Sequence, residues 1–99
     1  DYTRKNASIG TWQASRIYAI IGEADNARKY GQLCLQASDS DEIDPFYLGY
    51  AYEALARAES VAGNKEEMNE FLIQARQAAG LIKKADNRKW LEDDLDTIK

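Results

Sequence analysis

The sequence predicts an all-α domain built from two antiparallel helix-turn-helix repeats with a further helix capping the end. Three observations carry that expectation. Apolar residues recur with a 3.6-residue period, and no stretch alternates convincingly in the manner of a strand. Residues that start and stop helices punctuate the chain at regular places. The pattern around Gly22 returns around Gly63, 41 residues further on.

The first helix is expected from about Asn6 to Ile21, stopped by Gly22. A second, from about Asp25 to Ala37, carries Ala27, Tyr30, Leu33 and Cys34. Residues 38–44 form the one long polar connector, rich in aspartate. A third helix starts at Pro45 and runs to about Ala62. Asp44 is placed to cap it, and proline suits a first turn because its missing N–H would have had no partner there. Phe46, Tyr47, Leu48, Tyr50, Ala51, Ala54, Leu55, Ala58 and Val61 lie over much of its circumference. A helix this apolar is a central one, packed on more than one side.

The fourth helix, about Lys65 to Ile82, is the clearest amphipathic segment. Met68, Phe71, Leu72, Ala75, Ala78, Ala79 and Ile82 share a stripe, and Glu66, Glu67, Asn69, Glu70, Gln74 and Gln77 face away. Asn64 and Glu67 have the spacing of a capping box, with Gly63 before them where a positive φ is needed. The last helix, about Asn87 to Ile98, offers Trp90, Leu91, Leu95 and Ile98 as the face that closes the stack.

At the 41-residue offset, Ser15 matches Ala56, Arg16 matches Arg57, Ile20 matches Val61 and Tyr30 matches Phe71. The pairs resemble the tetratricopeptide repeat (TPR). Ser15, Gly22, Ala27 and Cys34 stand at its small or turn positions in the first pair. Leu55, Ala56, Gly63, Leu72 and Ala75 do so in the second. The run YEALARAESVAGNKEEMNEFLIQA reads as such a repeat, and the resemblance covers about residues 8 to 80. Met68 stands where the family prefers alanine and Gly31 where it prefers bulk, and the usual proline after the second helix is missing from both pairs. The whole chain is also similar to small bacterial proteins of TPR type. The resemblance implies a right-handed α-α superhelix of about residues 6–37 and 45–82, with residues 87–98 as its cap.

Composition narrows the classes of function. The chain has 99 residues, 44% of them apolar and 30% charged, a balance that supports one globular domain. Its net charge of −4 argues against nucleic acid as a partner, since phosphate contacts need a clustered basic surface. Its apolar runs are far too short for a membrane span. Cys34 is the single cysteine, so a reducing, cytoplasmic setting is expected. The chain opens on Asp1 rather than methionine, so a preceding segment is expected to have been removed or left out.

Catalysis is not expected. With no histidine there is no ordinary general base, and Cys34 has no imidazole to activate it; it reads as a buried small hydrophobe. No metal or cofactor is expected either. Counted from Asp39, the acidic connector places Asp44 and Tyr50 where a calcium loop wants glycine and glutamate.

Six tyrosines and two tryptophans exceed what so small a core needs, and such residues anchor interfaces. The resemblance implies that a partner binds on the inner face of the first helix of each pair. Carried over, that face comprises Trp12 and Arg16 in the first pair and Tyr50, Glu53 and Arg57 in the second. Repeated arginines suit an acidic partner. Glu53 and Arg57 also have the i, i+4 spacing of a simple surface ion pair, worth about 0.3–0.5 kcal/mol. The expected function is therefore a protein-interaction module for a peptide or helix. The alternative is self-association through apolar residues of the first helix such as Ile9 and Trp12.

Overall fold

A computed structural model describes residues 2–99. These form five helices: α1 (Tyr2–Ile20), α2 (Ala24–Ser38), α3 (Pro45–Ala62), α4 (Lys65–Ala79) and α5 (Ala85–Leu95). Among the described residues there is no strand, and the fold is all-α.

The boundaries depart from the sequence reading where tertiary contacts act. α1 begins at Tyr2, one turn before the expected Asn6. Arg4 of that extra turn donates to the carbonyls of Gln36 and Ala37 at 3.4 and 3.3 Å, tying it to the last turn of α2. α4 ends at Ala79, and the chain leaves it at Gly80, yet Ile82 is still buried.

Cross-helix contacts fix the directions. Ser8 Oγ meets Ser38 Oγ at 2.7 Å, and Ser15 Oγ donates to the Ala27 carbonyl at 2.8 Å, so α1 and α2 are antiparallel. Arg28 meets Glu59 while Gly31 faces Leu55, so α2 and α3 are antiparallel as well. Tyr52 lies beside Phe71 and Gly49 beside Ala78, which reverses the chain again in α4. α5 runs along α3 in the same direction, with Leu91 against Gly49 and Thr97 against Arg57. Thus α1, α3 and α5 lie side by side in one layer, while α2 bridges α1 to α3 and α4 bridges α3 to α5.

The two glycine turns are alike in detail. Gly22 and Gly63 both have φ of 82°, the left-handed conformation that glycine adopts without a Cβ penalty. After Gly22, Glu23 N–H donates to the Tyr18 carbonyl and Ala27 N–H to the Glu23 carbonyl. After Gly63, Asn64 N–H donates to Glu59 and Met68 N–H to Asn64, the same bonds displaced by 41 residues.

α3 is enclosed. Gly49, Ala51, Glu53, Ala54, Leu55, Ala56, Ala58 and Glu59 are all buried along it. Small residues make the close crossings: a Cβ on Gly31 would lie 2.9 Å from Leu55 Cδ2. The largest cluster joins Ala56, Met68, Ala75, Ala79 and Ile82 to Leu91, Leu95 and Ile98. Asp44 does cap α3, its Oδ1 accepting from Phe46 N–H at 2.8 Å.

Two expectations need correction. Asn64 makes no side-chain cap for α4. Its amide instead donates to Glu59 Oε1 at 2.9 Å, drawn to a carboxylate that sequence spacing did not place beside it. Trp90 is 63% exposed, while Leu91 and Leu95 close the stack. Neighbouring helical positions point about 100° apart, so α5 could bury only one of Trp90 and Leu91 against α3.

Candidate functional site

The layer of α1, α3 and α5 is organised around Glu53, whose residue is 0% exposed. A carboxylate in that position must be matched by donors or it is costly. Trp12 Nε1–H donates to its Oε1 at 2.9 Å. Arg16 Nη1 donates to Oε2 at 3.2 Å, and Arg57 reaches the same oxygen through Nε at 3.0 Å and Nη2 at 2.8 Å. Two residues from α1 and one from α3 thus converge on one carboxylate.

This arrangement corrects the expectation of a surface pair. Glu53 and Arg57 are bonded at the i, i+4 spacing, but the acid is wholly enclosed and the pair belongs to a buried network. The network extends to α5, where Arg57 Nη2 also donates to the Asp94 carbonyl at 3.3 Å and to Thr97 Oγ1 at 3.0 Å. Asp94 in turn accepts the Tyr50 hydroxyl. Burial, then the hydrogen bond and charge of Asp94, push the Tyr50 phenol well above its ordinary pKa.

Two depressions flank this network along the α1–α3 seam. The first, of about 290 Å³, is lined by Ser8, Ile9, Trp12, Gln13, Phe46, Tyr47, Tyr50 and Asp94. Its rings brace one another. Trp12 and Tyr50 meet edge to face at 5.6 Å, as do Phe46 and Tyr47, and Phe46 lies 4.9 Å from Tyr50. The second, of about 270 Å³, is lined by Arg16, Ala19, Ile20, Arg57, Ser60, Val61, Thr97, Ile98 and Lys99, with no Asp or Glu side chain among them.

Of the five residues expected on the face, Trp12 and Tyr50 line the first depression, and Arg16 and Arg57 line the second. Glu53 lies between and beneath them, held away from any partner. Sequence reasoning did not assign Ile9, Phe46, Tyr47, Asp94 or Thr97 to the face. Phe46 and Tyr47 carried a usable signal, lying four and three residues before Tyr50 and therefore on its side of α3.

A second charged group lies on the α2–α3 seam. Arg28 grips Glu59 with two bonds of 2.7 and 2.9 Å, and Asn64 adds a third. The Arg28 hydrogen bond holds the Glu59 carboxyl below its ordinary pKa, against the opposing effect of burial. Cys34 is buried beside Ser8 and Ser38, and desolvation pushes its thiol upward, away from the reactive thiolate. Among the described residues no three His, Cys, Asp or Glu side chains converge as a metal site, and no helix is long and apolar enough to cross a membrane.

No protein-family model, curated protein or solved structure matches this chain.

Proposed function

We propose that the chain is a non-catalytic protein-interaction module of TPR-like architecture, receiving a peptide or helix of a partner protein on the α1/α3/α5 face. One observation carries this reading: the braced aromatic depression of Trp12, Phe46, Tyr47 and Tyr50, with Ile9 at its edge. Trp and Tyr supply much contact area at little conformational cost, and depressions of this kind accept the anchor side chains that dominate binding energy. The walls are held by the Glu53 network, so little ordering remains to oppose binding. The neighbouring depression offers Arg16, Arg57 and Lys99 with no Asp or Glu side chain, which favours a partner with an acidic residue near its apolar anchor.

The test is selection from a displayed random-peptide library, followed by titration of the winners against Ile9→Glu and Tyr47→Ala. Neither side chain is hydrogen-bonded into the Glu53 network. The expected result is a convergent apolar-plus-acidic motif whose affinity falls at least about tenfold in both variants. Peptides that fail to converge, or that bind both variants as tightly as wild type, would overturn the reading.

A further inference from the structure

The aromatic depression of the α1/α3/α5 face holds one group that its apolar walls do not explain. Asp94, from α5, is the one carboxylate in its lining. Its Oδ2 accepts the Tyr50 hydroxyl, which fixes the carboxyl against one of the four rings. Its Oδ1 receives no hydrogen bond among the described residues and is not sealed from solvent. Of the other polar residues there, Ser8 is bonded to Ser38 and Gln13 is exposed. The depression thus combines Trp12, Phe46, Tyr47 and Tyr50 with one carboxylate oxygen left open.

Given the peptide-binding reading, on which this rests, we infer that the depression takes the side chain of a partner tryptophan. Its indole lies among the four rings, and its N–H donates to Asp94 Oδ1. Size separates indole from a single ring. A cavity of about 150 Å³ takes benzene. This depression, of about 290 Å³, has room for two fused rings.

Hydrogen bonding separates tryptophan from leucine and phenylalanine. Either would cover Oδ1 and return no donor, leaving a carboxylate oxygen desolvated and unpaired. Indole has one N–H and no acceptor, which matches an oxygen that only accepts. Tyrosine brings an acceptor of its own, and Tyr50 already supplies a hydroxyl to the same carboxyl. The molecule makes the same kind of contact within itself: Trp12 donates to Glu53 while meeting Tyr50 edge to face.

Charge separates tryptophan from lysine and arginine. Aromatic rings beside a carboxylate also suit a cation, but two cations already stand there. The Arg16 guanidinium lies 6.0 Å from the centre of the Trp12 ring, and Arg57 donates to the Asp94 carbonyl at 3.3 Å. A neutral donor meets no repulsion from them.

The test is titration of the isotopically labelled chain with N-acetyl-tryptophan amide, its 1-methylindole counterpart and N-acetyl-phenylalanine amide. The tryptophan amide should move the backbone signals of Ile9, Tyr47 and Asp94, and its own indole N–H proton should shift downfield on binding. The methylated and phenylalanine amides should bind at least about tenfold more weakly. Asp94→Ala should bind both indoles alike, because the hydrogen bond is gone, whereas a penalty for methyl bulk would persist. The wild-type measurements decide the matter if that variant loses its helical circular dichroism. Equal binding of the two indoles by the wild type, a stationary indole N–H proton, no binding of the tryptophan amide, or a methyl penalty that survives Asp94→Ala would each overturn the proposal. Library-selected peptides anchored by leucine or phenylalanine that weaken in Ile9→Glu and Tyr47→Ala would overturn the tryptophan anchor alone and leave the peptide-binding face standing.

Discussion

Glu53 shows how far one residue's role depends on what crosses over it. Its i, i+4 relation to Arg57 is local, and the sequence displays it. Its burial is not local, because Trp12 and Arg16 arrive from 41 and 37 residues away. Glu53→Gln leaves two arginines facing a neutral amide in a closed site and should destabilise the fold by about 3 kcal/mol in urea denaturation. For the same reason Arg16→Glu/Arg57→Glu should fail to fold. Glu59 sets an acid limit on stability. Its folded pKa lies below its unfolded value of about 4.3, so the folded state binds its proton less readily. The resulting stability is complete above the unfolded pKa and is lost as pH falls through the folded one. Thermal melts from pH 7 down to about 3 should therefore show a smaller loss of stability in Glu59→Gln than in wild type.

Among the elements, the glycines divide by what the sequence reveals. Gly22 and Gly63 were legible because they interrupt amphipathic patterns at matching places, and both adopt the positive φ that a helix ending there requires. Gly63→Ala should cost about 1 kcal/mol through backbone strain alone. Gly31 was not legible as a contact, since nothing near it in sequence says that Leu55 will lie across it. Helix propensity favours alanine there by about 1 kcal/mol, but the added Cβ would lie 2.9 Å from Cδ2 of Leu55, a leucine that is 0% exposed. Gly31→Ala is thus expected to be destabilising by about 1 kcal/mol net in denaturant titration, and a stabilised variant would contradict the close crossing. The phase of α5 shows the opposite limit. Its apolar residues were visible, but the choice of Leu91 over Trp90 for the interior depended on how the helix docks against Gly49 and α4.

At the scale of the whole molecule, the all-α class was legible because every helix announces itself by period and punctuation. The joining of the face was not. It emerges because α1, α3 and α5 run in the same direction, which brings Trp12 against Tyr50, Arg57 against Thr97, and Asp94 under the Tyr50 hydroxyl. That layer leaves an aromatic depression beside a basic one, and the proposed function rests on their adjacency. The most direct measurement is amide chemical-shift mapping of a library-selected peptide on the isotopically labelled chain. The account predicts that the largest shifts fall on Ile9, Trp12, Tyr47 and Tyr50 and continue toward Arg16 and Arg57. Shifts confined to α2 and α4, or spread evenly over the surface, would contradict it.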